Sequence, residues 1–519
     1  MALSREEEIQ GFLSRWYSAS YQFFMANFTF KDLNLMGRSI PVPLRLLVEA
    51  DSAGTGQNGV SSKEIVIEKL FRVIPGRRIV GLCEYKGRQA VAKIFFHPRY
   101  WKRHLKREMR GNGLLADAGQ SIPRSVETLR SAKHNGGILL TEFLVGSVTL
   151  EDSRSDILTG ETDFNLVTSA VASIASCHNR GLWQNDIHLG NFLFFQNNIF
   201  LLDGGAIKFE KIDSPLSQTR SLENLAVFFA QFPVWHDRNI DQLLSEYLML
   251  RDGKGWATDE GSFFKMVRHA RTKRLDIYAR KLFRPTSAHA FSHSMSRLLV
   301  YDRVVASANF DAFIVNPDSY LEKGKLIKDG NSSTVASIAI DGKNYILKRY
   351  NIKSFQHGIK RLFTPSRAYK SWRAGLILEM LGIGTAHPIM CLEQRVFWFF
   401  RRRAYFLSEE VSGDHLIADY ENETKTTEQW EVVFSAFRNL FSVMKEYKIS
   451  HGDMKATNFI FSNRQLYILD LDSLKQHKSD GSFAEKFDKD LDRFRKNWLA
   501  TNLEKQAAGA MADFMSKQG

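Results

Sequence analysis

The chain has 519 residues, of which 44% are hydrophobic and 25% charged, so wholesale disorder is excluded and large cores are possible. Lysine and arginine exceed aspartate and glutamate by 71 − 57 = 14, which favours anionic partners such as nucleotides, phosphorylated sugars, acidic lipids or nucleic acid. A basic surface without a specific ligand is the alternative. The three cysteines, Cys83, Cys177 and Cys391, have no metal-binding or disulfide-framework spacing, in keeping with a reducing compartment.

Residues 1–60 are predicted to form an N-terminal extension and a linker. The aromatic residues of the extension are Phe12, Trp16, Tyr17, Tyr21, Phe23, Phe24, Phe28 and Phe30. They favour packing on the body of the protein, with contact to a membrane surface as the alternative. The chain does not open like a signal peptide, and no apolar run reaches the ~18 residues of a membrane span. A cytoplasmic protein, soluble or peripheral at the membrane, is therefore expected.

A first domain is predicted over residues 61–315. It begins with a strand region from Ile65 to Ile74, followed by the turn Pro75-Gly76-Arg77-Arg78 and a second apolar run that ends at Lys93. A lysine there can pair with nucleotide phosphates under a covering turn. Glu108, on a basic helical stretch, is the candidate partner that orients Lys93.

One segment of the sequence occurs twice. Residues 185–203 read NDIHLGNFLFFQNNIFLLD, and residues 452–470 read GDMKATNFIFSNRQLYILD, 267 positions later. LLTEFLVG at 139–146 falls on FLSEEVSG at 406–413 with the same offset. The simplest explanation is two domains of one plan, the second covering residues 316–519.

The repeated polar residues form the set of a kinase centre. The first Asp of each copy, Asp186 or Asp453, would orient a hydroxyl and accept its proton. The Asn and the last Asp would hold Mg²⁺ against ATP phosphates, because Mg²⁺ prefers few hard oxygen ligands. These metal candidates are Asn191 and Asp203 in copy one and Asn458 and Asp470 in copy two.

The flanking pattern predicts local structure around these residues. Apolar runs Phe192–Phe195 and Ile199–Leu202, split by polar residues, predict a β-hairpin between the Asn and the last Asp. Runs 459–461 and 466–469 predict the same hairpin in copy two. A helix is predicted before each copy, and residues 212–320 have mainly helical periodicity.

The second copy has its own lysine, Lys348, preceded by the turn Lys328-Asp329-Gly330-Asn331-Ser332-Ser333. The position that matches Glu108 is Ser371, so no Lys–Glu pair is expected there. His188 and Lys455 both stand two residues after the first Asp. Each could touch a transferring phosphate or only support the loop.

HGDMKATNF at 451–459, LDLDS at 469–473 and KDGNSSTVASIAIDGKNYILKRYN at 328–351 resemble the Kdo/WaaP-type lipopolysaccharide core kinases. NDIHLGNFLF and LLDGG of copy one are similar to the wider group with aminoglycoside and choline kinases. The resemblance, over roughly residues 65–210 and 320–500, implies an α+β fold of two tandem bilobal protein-kinase-like domains. Each would have a small antiparallel sheet as N-lobe and a mainly helical C-lobe.

The resemblance also implies an activity, which is transfer of the ATP γ-phosphate to a heptose or Kdo hydroxyl of the lipopolysaccharide core. The acceptor would be a lipid-linked precursor at the inner face of the cytoplasmic membrane. Basic clusters at 99–110, 349–373 and 401–403 could hold such anionic sugars or headgroups, or could be solvated helix faces.

Two further functions stay open. One or both copies could be pseudokinases that act as a regulatory scaffold in core assembly. A kinase for small soluble molecules or protein side chains is a weaker alternative. Nucleic-acid binding is disfavoured, because no basic-aromatic motif of a known type occurs.

Overall fold

The computed structural model describes residues 27–50, 62–131, 135–153, 164–251, 256, 260–351, 364–396 and 400–515. The chain divides into two compact units. The first unit comprises the described residues of Met1–Asp156, Thr162–Phe228 and Gln242–Asp259, and the second comprises those of Phe229–Asp241 and Glu260–Gly519. Both units combine helices with mainly antiparallel sheets, which agrees with the predicted α+β class.

The first unit is built around a seven-stranded sheet in the order β1-β2-β3-β4-β5-β7-β6. Because β2 also pairs with β6, this sheet closes on itself. Alternate residues of β4 are buried, as the period of two of a half-buried strand requires. The strands are β1 (Asn27–Phe28), β2 (Leu44–Ala50), β3 (Ser62–Ile74), β4 (Arg78–Tyr85), β5 (Arg88–Phe95), β6 (Ser125–Ser131), β7 (Gly137–Glu142), β8 (Val148–Thr149), β9 (Leu182–Gln184), β10 (Phe192–Phe195), β11 (Asn198–Leu201) and β12 (Ile207–Phe209).

The described helices of the first unit are α1 (Phe30–Leu35), α2 (Trp101–Asp117), α3 (Phe164–Asn179), α4 (Gln218–Phe229) and α5 (Ile240–Leu250). A capping box of Thr29 and Asp32 starts α1. Phe28 and Phe30 are buried in the core of the first sheet, which confirms packing for these two aromatics. The other aromatics of the extension lie outside the described residues. Residues 27–50 are thus part of the first unit, and their prediction as extension was wrong.

The second unit contains an open seven-stranded sheet in the order β13-β14-β19-β20-β17-β16-β15. Its strands are β13 (His289–His293), β14 (Arg297–Asp302), β15 (Lys325–Gly330), β16 (Ser333–Ile340), β17 (Lys343–Tyr350), β18 (Gly384–Thr385), β19 (Pro388–Val396), β20 (Phe400–Glu409), β21 (Ile449–Ser450), β22 (Phe459–Ser462), β23 (Gln465–Ile468) and β24 (Lys475–Gln476). Its described helices are α6 (Glu260–Ala279), α7 (Ala308–Val315), α8 (Pro317–Lys323), α9 (Arg367–Met380), α10 (Leu416–Glu421), α11 (Thr427–Tyr447), α12 (Asp480–Lys496) and α13 (Glu504–Met511).

The strand pairing moves the boundary between the units away from Asn316, where we predicted it. β14 pairs with β13 on one side and with β19 on the other, so residues 289–302 belong to the second sheet. Leu298, Leu299 and Val300 are buried on β14. This short apolar run forms a strand because it pairs with β19, almost 100 residues later in the chain. The helical periodicity within residues 212–320 could not reveal such a distant contact.

Both predicted hairpins are confirmed. β10 pairs with β11, and β22 pairs with β23, in antiparallel register. The two turn residues have positive φ in each hairpin, 48° and 61° at Gln196-Asn197 and 49° and 61° at Asn463-Arg464. Such turns match the twist of the flanking strands. Each hairpin carries its Asn at the start and its last Asp just after the end.

Helix α11 connects the core of the second unit to its hairpin. Thr426 and Gln429 form a capping box at its start, a feature worth about 1 kcal/mol. Its buried face includes Phe437, whose ring centroid lies 5.0 Å from that of Phe459 and 4.5 Å from that of Phe494. Since Phe459 follows Asn458 directly, this aromatic packing fixes the start of the hairpin and the position of the Asn.

Candidate active sites of the two units

In the second unit, the predicted lysine and the last Asp meet. Lys348 lies on β17, and its Nζ is 2.6 Å from Asp470 Oδ1. Asp470 follows β23 in a left-handed conformation, with φ 54° and ψ 60°, which turns the chain back toward the sheet. Burial alone would raise the pKa of Asp470, but the charge of Lys348 outweighs it and holds this pKa below its ordinary value. The carboxylate is thus ionised in its resting state.

A second carboxylate, which was not predicted from the sequence, holds Lys348. Asp472 is only 5% exposed, and its Oδ2 accepts from Lys348 Nζ at 3.2 Å and from Arg367 Nη2 at 2.6 Å. Ser371, at the position predicted to match the first copy's Glu, instead hydrogen-bonds to the Tyr350 hydroxyl at 3.0 Å. The second Asp of LDLDS was the available signal.

In the first unit, the carboxylate that holds the lysine comes from a helix. Lys93 on β5 pairs with Glu108 on α2, which is 1% exposed, as predicted. Glu108 Oε2 also accepts from Gly205 N at 3.1 Å. With the 267-residue offset, Gly205 falls on Asp472. A Cβ at Gly205 would lie 2.6 Å from Glu108 Oε2. The lysine-holding carboxylate is therefore on the helix in one unit and on the loop in the other, and a side chain at Gly205 would require Glu108 to shift.

The predicted catalytic loop of the second unit brings Asp453, Lys455 and Asn458 together. Asn458 Nδ2 donates to the Asp453 backbone oxygen at 2.9 Å and to its Oδ2 at 3.3 Å. Lys455 Nζ lies 3.0 Å from the same carboxylate. The Asp453 side chain is 35% exposed, so an acceptor hydroxyl can reach it. Lys455 thus forms an ion pair with the carboxylate that was predicted to be catalytic.

Asp490 on α12 fixes the backbone of this loop, and it was also missed from the sequence. Its carboxylate accepts from His451 N at 2.6 Å and from Gly452 N at 2.9 Å. Gly452 has φ 86°, a conformation that favours glycine. His451 Nε2 donates to the Leu469 oxygen at 3.3 Å, and burial lowers the pKa of His451, so the ring is neutral.

We expect the substitution Asp490→Asn to lower the free energy of unfolding by about 1–3 kcal/mol, because one buried N–H loses its acceptor. The rate of phosphate transfer should fall as well, since the Asp453 loop is released. Urea unfolding and a kinase assay measure the two effects. Asp488→Asn, two residues away on the exposed face of α12, is the control. Equal stability of both variants would contradict a positioning role for Asp490.

The loop of the first unit has a different support. Asn191 Nδ2 donates to the Asp186 backbone oxygen at 2.9 Å, as in the second unit. His188 Nδ1 accepts from Gly190 N at 3.1 Å, which makes it a support within the loop. In place of a buried carboxylate, Asn224 Nδ2 donates to the Gln184 oxygen at 2.8 Å. The loop backbone is therefore held by a neutral amide.

The covering turns lie where they were predicted, but they carry different side chains. Pro75-Gly76-Arg77 connects β3 to β4, and Asn331-Ser332 connects β15 to β16. In the first unit, Arg78 Nη1 lies 3.3 Å from Asp203 Oδ1 and 3.7 Å from Glu108 Oε2. Burial alone would raise the pKa of Asp203, but Arg78 and Lys93 hold it below its ordinary value.

The donor sets differ in their fit to Mg²⁺. Within the described ranges, no cluster of three or more His, Cys, Asp or Glu residues could hold a metal ion by itself. Asn458 and Asp470 offer two oxygen ligands, which suits Mg²⁺ when nucleotide phosphates and water complete its shell. In the first unit, Asn191 and Asp203 offer the same two ligand types, but the guanidinium of Arg78 lies 3.3 Å from Asp203 Oδ1 and would compete with a metal ion for that oxygen.

Two cavities accompany these sites. The first unit has one of 300 Å³, lined by Asp186, Asp203 and Glu108 together with several basic residues. The second unit has one of 480 Å³ near Glu409–Ser412, which the predicted site residues of that unit do not line.

Among the helices that the structure describes, none is both long and apolar enough to span a bilayer.

Comparison with known proteins gives a family match within the second unit. Residues 319–514 match the lipopolysaccharide kinase (Kdo/WaaP) family, and the match includes Lys348, Asp453, Asn458 and Asp470. No curated protein matches the chain. The resemblance drawn from HGDMKATNF and LDLDS is thereby confirmed for this part of the chain. Residues 319–514 of the chain are thus similar to the kinases of the lipopolysaccharide kinase (Kdo/WaaP) family.

Proposed function

We propose that the second unit transfers the γ-phosphoryl group of ATP to a sugar hydroxyl, of heptose or Kdo, in the lipopolysaccharide inner core. The observation that supports this most is that Lys348 pairs with Asp470, and Asn458 with Asp453, within the part of the chain that matches the family. In this proposal the unit is a bilobal kinase domain, with its seven-stranded sheet as N-lobe and the helices around α11 as C-lobe.

The residues have separate roles in this reaction. Lys348 binds nucleotide phosphates, and Asp472 with Arg367 keeps its ammonium group in place. Asp453 orients the acceptor hydroxyl for in-line attack and accepts its proton. Asn458 and Asp470 would hold Mg²⁺, which when bound neutralises charge on the phosphates. Lys455, beside Asp453, can then contact the transferred phosphate.

The lipid anchor of the proposed acceptor determines where in the cell the reaction would take place. Lipopolysaccharide precursors are anchored in lipid, so we propose that the chain works as a peripheral protein at the inner face of the cytoplasmic membrane. The surplus of 14 basic residues would favour contact with acidic headgroups and with phosphorylated core sugars.

A direct test is transfer of labelled phosphate from ATP to core oligosaccharide by the full chain with Mg²⁺. The variant Asp470→Asn should lose at least about 100-fold in rate, because a metal ligand supplies several kcal/mol of charge stabilisation. Asp203→Asn, the matched change in the first unit, should leave the rate unchanged. Label in small alcohols or protein side chains but not in oligosaccharide would overturn the proposed acceptor.

The first unit suits a non-catalytic role. Arg78 pairs with Asp203, whereas Lys348 pairs with Asp470 in the second unit. In the described part of the first unit, the amide of Asn224 supports the loop of Asp186, where the second unit has the carboxylate of Asp490. We therefore propose that the first unit is a pseudokinase that regulates or supports the second.

A further inference from the structure

The cavity of the first unit has an unusual excess of positive charge. Five basic side chains and one histidine line its 300 Å³ beside three acids. The basic ones are Arg72, Arg77, Arg78, Arg107 and Lys208, and the histidine is His104. Of the acids, Glu108 is paired with Lys93, and Asp203 is paired with Arg78. Among the described residues, no carboxylate lies within ion-pair distance of the other four basic side chains, and the third acid, Asp186, leaves an excess of cations in the lining.

The pKa of His104 reflects the same excess of positive charge. Burial and the nearby charges of Arg77 and Arg107 lower the pKa of His104 to about 4, so its ring stays neutral. A neutral imidazole can donate one hydrogen bond and accept another. The cavity thus combines cationic donors with a neutral donor, a set that suits the oxygens of a phosphoryl group.

Strand register identifies Arg78 as the residue that distinguishes the two units. Val80 pairs with Lys93, and Val335 pairs with Lys348. Arg78 and Ser333 both stand two residues before these valines, so they occupy equivalent positions. Ser333 has no charge to place against Asp470. In the first unit the arginine supplies, as part of the chain, the positive charge that a metal ion would otherwise bring.

We propose that this cavity binds a phosphorylated small molecule without a divalent cation. The cavity volume is at the lower end of the range for ligand pockets. The cavity also does not extend to residues 143–147, the segment that follows β7. A compact sugar phosphate or pyrophosphate therefore fits the cavity better than a whole nucleotide does. This inference concerns the first unit alone and does not depend on the catalytic role proposed for the second.

Calorimetric titration of the full chain in EDTA tests the proposal, with pyrophosphate, glucose 6-phosphate and ATP as separate probes. Saturable binding of one probe supports the site, and the identity of that probe distinguishes an inorganic, sugar or nucleotide source. Arg107→Gln should weaken the binding about tenfold or more, because a charged hydrogen bond is lost. Arg103→Gln, exposed on the same helix and outside the cavity, is the control.

The exchange Arg78→Ser provides a second criterion. It converts the position to the residue of the second unit, so binding of the same probe should weaken in EDTA and become stronger when Mg²⁺ is added. Binding that requires Mg²⁺ in the unaltered chain would overturn the proposal. So would an equal loss of binding in the Arg103 and Arg107 variants, or no binding of any probe in EDTA.

Discussion

Replacing Asp453 by asparagine should lower kcat for phosphate transfer to core oligosaccharide by about 10²–10⁴-fold, the usual contribution of a positioned proton acceptor. Asparagine has nearly the same shape and can still accept from Asn458 Nδ2, so the loop should keep its conformation. It cannot take a proton from the acceptor hydroxyl. KM for ATP should therefore change little, since Lys348 and Asp470, which would bind the nucleotide, are untouched.

The matched control for Asp453→Asn is Asp186→Asn, which makes the same change at the equivalent position of the first unit. We expect no loss of activity, because Arg78 pairs with Asp203 there. Steady-state kinetics of the two variants, with a thermal-unfolding check, separates the two sites. Full activity of Asp453→Asn together with loss of activity in Asp186→Asn would place the chemistry in the first unit.

The second large effect is expected at the carboxylate that holds Lys348. Asp472→Gly removes one of the two carboxylates paired with Lys348 and also the partner of Arg367, and it should reduce kcat/KM about 10–100-fold, the equivalent of one charged hydrogen bond. Ser371→Glu alone should also reduce activity, because a glutamate there would crowd Asp472 as a Cβ at Gly205 would crowd Glu108. The double variant recreates the arrangement of the first unit and should recover part of the lost activity.

A double-mutant cycle over these two positions measures the coupling directly. Activity in the double variant above that of both single variants would show that one carboxylate substitutes for the other. Additive losses would mean that Asp472 acts through Arg367 or the loop rather than by holding Lys348. Ala at Ser371 is the control, because it removes only the hydrogen bond to Tyr350.

Much of the fold near the sites could be predicted because its signals are local. A polar turn separates Phe192–Phe195 from the apolar run that follows, and the whole segment spans fewer than twelve positions. The hairpin is therefore encoded within its own segment. The pairing of Lys93 with Glu108 was also accessible, since both lie in one short stretch of strand and helix. The repeat itself showed that Asp203 and Asp470 would hold equivalent positions.

The residues that were missed act over long distances in sequence. Asp472 is 124 residues from Lys348, and Asp490 is 39 residues from His451. No periodicity marks such a contact. Arg78 is similar, because its partner Asp203 is 125 residues away and a lone arginine after a turn is indistinguishable from a surface charge. The strands β13 and β14 were missed for the same reason, since their partner β19 follows almost 100 residues later.

The closure of the first sheet bears on how fast the ligands proposed for the two units can exchange. β3 is held by β2 over residues 62–67, and Arg38 donates to the Val73 oxygen at 3.0 Å near the covering turn. Within the described chain, β15 pairs with β16 alone, and most of its residues are exposed. A cover with one neighbouring strand can lift and admit a new nucleotide after each reaction, a step that often limits turnover. We therefore expect the ligand proposed for the first unit to exchange more slowly than the nucleotide proposed for the second.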